Sequence, residues 1–323
     1  MLKTRGGFLA SATAVYLQRP RLVTAQASPH LIVGSTPVDG GIAPLVGVRA
    51  GFFKKYGLDV DVQSSVNGAA TAAAVVGGTL NIGASNILGL ISARARGLPF
   101  QIVAPQAMYL SEKPTELLVV RKESNIQTAA DLAGKTVASS ALGDLISIST
   151  LLWIDQHGGD LTSVKRVELS SAAIPAALQS GRVDAAGLQE PRLSEELRSG
   201  NVRVLGKMYD AVGKRFLVTA MFATSSFANE NREVVARYAR AQLEANVFAN
   251  AHQDQTALLL AEFAKVDLRS IQGTQRQLYA ETFDLSMIQP VIDAAVRYKV
   301  IDKAFDAREL ISPVVLSNWR SGS

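Results

Sequence analysis

The residues able to do chemistry in this chain are hydroxyls, amides and two carboxylates, placed where apolar runs give way to turns. Thr36 and Asp39 follow the run LIV at 31–33 in a glycine-rich stretch. Ser85 and Asn86 follow an apolar run at 80–84, and Ser139 and Ser140, with Gly143 just beyond, follow TVA at 136–138. Gln189 and Glu190 end another apolar run and precede Pro191. Such groups hydrogen-bond a small solute, or an anion held at a helix start where free N–H groups gather. Each also has a structural reading. Ser140 and the Ser85–Asn86 pair are placed to cap the helices that follow. Asp39 before Gly40 is a strong turn signal, and Glu190 is placed to order a hinge. Tyr109, after an apolar run at 100–104, reads equally as a cleft residue or a surface one.

None of these positions is an arginine. Without a guanidinium fork the set is ill suited to a strongly charged phosphate. A small monoanion held by amides and hydroxyls, or a neutral heterocycle, fits it better. His30, His157 and His252 lie far apart with no ligand spacing, so no metal is expected. The chain has no cysteine, which excludes a disulfide, a thiolate metal site, a catalytic thiol and a lipid-modified cysteine anchor. Ser139–Ser140 lacks the glycines of a nucleophile elbow, and no phosphate or dinucleotide loop occurs. No cofactor is expected. Phe52, Phe53, Tyr56 and Trp153 read as packing.

The elements that must position these groups alternate as strand and helix, which argues an α/β fold with mostly parallel sheets. A first series has strands near 31–33, 58–62, 80–84 and 100–104, with helices at 43–53, 68–76 and 87–96 between them. A strand at 116–120 begins the passage to a second series, with strands at 136–138, 164–169, 183–188 and 202–205. An apolar strand at 216–223 follows, then helices at 229–249, 253–263, 274–280 and 289–297. In parallel units of this kind ligands bind at the carboxyl ends of the strands, which is where the polar pairs lie.

The formal charge of +5 on 323 residues belongs mostly to the start of the chain. Residues 1–27 hold Lys3, Arg5, Arg19, Arg21 and no acid, so the rest carries 29 basic against 28 acidic residues. No dense basic patch remains for nucleic acid. That leader has a basic start, a short apolar run at 8–17 and an A-x-A site at 25–27. These are the parts of a signal peptide cleaved after Ala27. TRGGFL at 4–9 is similar to a twin-arginine signal with glycine in place of the second arginine.

Three motifs carry a resemblance: GFFKKYGLDV at 51–60, DLAGKTVA at 131–138 and AALQSGRVDAAGLQEP at 176–191. They resemble the periplasmic solute-binding proteins of ABC importers for nitrate, sulfonate and taurine, and the related thiamine-pyrimidine-synthase-like proteins. The resemblance implies a type II periplasmic binding fold with a ligand cleft between two lobes. It implies lobe one at 28–107, lobe two at 108–216, and a return to lobe one with a helical region at 217–323. It also implies a monomer in the periplasm that delivers a sulfonate-like anion or a nitrogen heterocycle to an inner-membrane permease, without catalysis and without nucleic acid. The alternatives are an enzyme on the same fold, of the menaquinone-pathway lyase or pyrimidine-synthase type, and a ligand-sensing domain. The synthase motif is cysteine-rich, and this chain has no cysteine.

Overall fold

A computed structural model describes residues 1–2 and 28–320. The export reading rests on residues 3–27 and lies outside the described residues. The chain begins with β1 (His30–Ser35), α1 (Ala43–Arg49), α2 (Phe52–Lys55), β2 (Asp59–Ser64), α3 (Gly68–Val76), β3 (Ile82–Asn86), α4 (Ile87–Ala95) and β4 (Phe100–Pro105). The single helix expected at 43–53 is two, because Gly51 takes φ +79 between them. That left-handed turn is open to glycine at no steric cost. It swings Phe53 inward, where it is 1% exposed and stacks on Tyr238 with ring centroids 5.1 Å apart.

The chain then crosses through β5 (Ala107–Leu110) into β6 (Glu116–Arg121), β7 (Thr136–Ser139), α5 (Leu145–Gln156), β8 (Lys165–Glu168), α6 (Ile174–Gln179), β9 (Ala185–Gln189), α7 (Arg192–Arg198) and β10 (Val202–Gly206). It returns through β11 (Arg215–Leu217) and β12 (Thr219–Thr224). The remainder comprises α8 (Ser225–Glu230), α9 (Arg232–Ala251), α10 (Gln253–Ala264), α11 (Leu268–Ile271), β13 (Leu278–Tyr279) and α12 (Gln289–Arg297). Two expectations need correction. The strand at 216–223 is divided at Val218, and the segment at 274–280 is not a helix but contains β13. Each departure has the same cause: β11 and β13 pair with β5 on either side, and this partner, far off in sequence, overrides local pattern.

Two five-stranded sheets result, in the orders β2-β1-β3-β12-β4 and β10-β6-β9-β7-β8. Read from opposite ends they share one plan. In each, one strand runs against the others: β12 is antiparallel to β3 and β4, and β6 is antiparallel to β9 and β10. These are the strands that arrive from the other lobe. A crossing strand therefore presents its first residue, not its last, at the edge where the parallel strands end. The strand interiors are apolar and fully buried, as at Val119 and Val120 of β6 and Met221 and Phe222 of β12, which fits sheets covered by helices on both faces. The small sheet β11-β5-β13 joins the two lobes at the crossings.

Candidate functional site

A cleft of about 1010 Å³ lies where the strand ends of both sheets meet. Its lobe-one wall starts at β1. Ser35 turns its hydroxyl inward to donate to Gly41 O at 2.7 Å, and Thr36 and Gly40 line the cleft. Asp39, between them, points away into the protein. Its carboxylate takes Arg276 Nε at 2.9 Å, Arg276 Nη2 at 2.8 Å and the Gln277 amide at 2.7 Å. Asp39 thus holds the first cleft loop to the C-terminal region and does not line the cleft. Its own amide donates to Glu190 O, 3.0 Å away in lobe two.

Three helices start at the cleft, and each is capped by its own chain. Asn67 Oδ1 accepts from Ala70 N at 2.9 Å, and Asn86 Oδ1 from Gly89 N at 2.7 Å. In lobe two the cap of α5 is Asp144, not Ser140: Asp144 Oδ1 accepts from Ser147 N at 2.7 Å, and the Ser140 hydroxyl donates to Asp144 Oδ2 at 2.5 Å. Ser139 is buried and donates to Ala141 O at 3.1 Å. Ser85, Asn86, Ser140, Gly143 and Gln189 all line the cleft. Ser139 and Glu190 stand behind it. The Glu190 carboxylate accepts from the Ser194 hydroxyl at 2.7 Å and the Ser194 amide at 3.2 Å, and the Glu190 amide donates to Thr115 O at 3.1 Å. Tyr109 is fully buried in the hinge sheet, packed against Tyr209 and Phe216, with its hydroxyl donating to Asp210 at 2.8 Å. It is neither a cleft nor a surface residue.

Several cleft residues escaped the sequence reading. Glu116 and Thr219 stand at the first positions of β6 and β12, the antiparallel crossing strands. A rule that looks only at carboxyl ends misses both. Gln106 directly follows β4 and was within reach of that rule. Gln277 comes to the cleft from the C-terminal region, beyond any local signal. The Thr115 hydroxyl lies 2.9 Å from Glu116 Oε2 and 2.8 Å from Gln277 Oε1. Across the lobes, Asn67 Nδ2 donates to Ser140 O at 3.3 Å. An apolar extension of the cleft runs between α3 and α4, past Ala69, Ala72 and Val76 on one side and Gly89 and Ala93 on the other.

Burial raises three carboxyls here. Glu116 is pushed up to about 8, with the charges of Glu190 and Asp39 adding to the effect of burial. Glu190 rises to about 7 against the hydrogen bonds from Ser194, and Asp144 to about 6 against those from Ser140 and Ser147. Among the described residues no group of three histidine, cysteine or carboxylate side chains could hold a metal, and no helix is long and apolar enough to cross a membrane. The arrangement offers hydrogen bonds and an apolar channel.

The chain is 26% identical over 230 residues to a putative binding protein of Brucella abortus (strain 2308), covering 69% of this chain and 67% of that one. Among solved structures, the periplasmic aliphatic sulphonate binding protein of Escherichia coli matches with a TM-score of 0.70 at 22% identity, over 90% of this chain and 99% of that one. The periplasmic nitrate-binding protein of Synechocystis PCC 6803 matches with a TM-score of 0.75 at 15% identity, over 89% and 87%. A desulfurization enzyme shares the fold at a TM-score of 0.62 and 19% identity, over 90% and 98%. The two lobes, their crossing strands and the cleft are therefore the periplasmic-binding-protein fold. The NMT1/THI5 like family model matches residues 42–256, about two thirds of the sequence, and the chain belongs to that family.

Proposed function

We propose that the chain is the solute-binding component of an ABC importer, working as a monomer in the periplasm. It captures a small organic solute in the cleft by closing the lobes about the hinge sheet, and delivers it to a permease in the inner membrane. No bond is made or broken. The observation that carries this reading is the cleft itself, about 1010 Å³ and walled by strand ends of both sheets. Two separate crossings through β5 and β11 support a hinge rather than a fixed wall. Thr36, Ser85, Asn86, Ser140, Gly143 and Gln189 contact the solute from both lobes. Asp39, Ser139, Glu190 and Tyr109 hold those contacts in place. The sulphonate and nitrate proteins of similar fold support the transport class, and the family match supports a small solute.

The test is a thermal-shift screen of sulfonates, nitrate, pyrimidines, carboxylates and aromatic acids, with the solute recovered and analysed afterwards. A ligand at a hundred times its dissociation constant adds about 2.7 kcal/mol of stability. At roughly 2–4 °C per kcal/mol, that is a rise of about 5–10 °C. Recovery of a chemically altered solute would replace the transport reading with the enzyme reading.

A further inference from the structure

We propose that the cleft takes an uncharged ligand with an amide-type edge, a hydrogen-bond donor beside an acceptor as in a lactam, a ureide or a carboxamide, and not a sulfonate, nitrate or other oxyanion. This rests on the reading of the cleft as the solute site and assigns the chemistry of its occupant.

The first ground is Gln106. It lines the cleft, is fully buried, and has neither its side-chain nitrogen nor its oxygen hydrogen-bonded. Buried polar groups in native proteins are nearly always paired, and an orphaned amide carries a desolvation cost with no return. Both halves of this amide are orphaned together. The partner that satisfies both is another amide-type edge, which donates to the oxygen and accepts from the nitrogen. An oxyanion has acceptors only and leaves the Gln106 oxygen unpaired.

The second ground is Glu116, whose protonation follows from its hydrogen bonds. Gln277 Nε2 donates to Met108 O at 2.6 Å, which fixes that side chain with its oxygen toward Thr115. Gln277 Oε1 only accepts, so it takes the single hydroxyl proton of Thr115. Glu116 Oε2, 2.9 Å from the same hydroxyl oxygen, must then be the donor. Glu116 is a neutral carboxylic acid, in keeping with its rise to about 8 on burial. The titratable groups facing it are Glu190, Asp39 (paired with Arg276), Tyr109 and Tyr209. With its proton committed to Thr115, Glu116 has only an acceptor left to offer a ligand, and an acceptor repels an oxyanion.

The third ground is that the lobe-two helix start is already answered by acid. Asp144 accepts from Ser147 N, and Glu168 accepts from Leu142 N at 3.3 Å. Asp144 and Glu168 both line the cleft, and Arg96 is the one cation among its described lining residues. An anion entering there meets carboxylates at the amides that would otherwise hold it.

The experiment is calorimetric titration of the full chain with 2-pyrrolidinone, uracil, allantoin and benzamide as amide probes. Ethanesulfonate, methanesulfonate and nitrate are the oxyanion probes, and benzylamine is the cation probe. At least one amide probe is expected to bind, and the oxyanions and benzylamine are not. Gln106→Leu should weaken the amide probe by roughly tenfold or more. It should leave the ligand-free melting temperature unchanged or higher, because an unpaired amide is removed. A structural glutamine would give the opposite pair of results. Glu116→Gln keeps a neutral donor and acceptor, so it should retain binding. Oxyanion or benzylamine binding in the cleft, or failure of every amide probe at millimolar concentration, overturns the assignment. Oxyanion binding with lobe closure does so while leaving the solute-binding reading intact; turnover of a bound probe overturns that reading instead.

Discussion

Asp39 is 1% exposed, with two Arg276 N–H groups on its carboxylate and a backbone amide on one of the same oxygens. The pair spans 237 positions of sequence. Nothing local to Asp39 announces it; the Asp-Gly step signals a turn, and the turn is there, as a short helical turn over Asp39–Gly41. Removing one member of a buried pair strands the other charge, at a cost of about 3–5 kcal/mol. Asp39→Ala is therefore expected to lower the urea midpoint sharply. Asp39→Leu combined with Arg276→Met, which removes both charges, should be less destabilised than either single change. Equal destabilisation in the double variant would show that the contact holds the loop by geometry rather than by charge. Glu116 teaches the reverse lesson about legibility: its residue type was plain in the sequence, and its importance was hidden by strand direction.

At the scale of elements, the strand–helix alternation was readable because apolar runs of strand length are punctuated by turn residues. Gly57, for example, takes φ +67 just past α2, where the pattern predicted a helix end. The caps were harder. Ser140 and Asp144 are four residues apart, both of cap-forming type, and only the fold shows that Asp144 cups the Ser147 amide while Ser140 braces Asp144. Asp144→Ala should cost about 1 kcal/mol through loss of the cap, read as a lower denaturant midpoint. Ser140→Ala should cost less, because the cap survives it. Loss of equal size in the two variants would assign the cap to the pair rather than to Asp144. The hinge elements were the least legible. β5, β11 and β13 are two to four residues long, too short for periodicity to show. Their pairing exists only once both crossings and the C-terminal region are in place, which is why Tyr109 and the segment at 274–280 were misread.

For the whole molecule, the three raised carboxyls set a pH dependence. Glu116, Glu190 and Asp144 have ordinary values of 4.5, 4.5 and 3.8, and rise to about 8, 7 and 6 when folded. The folded protein then binds more protons than the unfolded chain, so stability is greatest in mild acid and falls as pH rises through those values. Between about pH 5 and 9 the ligand-free protein should lose on the order of a few kcal/mol, seen as a falling melting temperature. Glu116→Gln should flatten the upper part of that curve. A melting temperature that climbs over the same range would contradict the burial of these groups.

The claim on which the account turns is that the lobes close on a solute held between them. Small-angle X-ray scattering of the full chain, titrated with a ligand shown to bind by calorimetry, measures this directly. Closure about the β11-β5-β13 sheet predicts a radius of gyration that shrinks in proportion to site occupancy and returns to its starting value when the ligand is dialysed away, with the ligand recovered unaltered. A tight ligand that saturates the protein and leaves the scattering curve unchanged would contradict it.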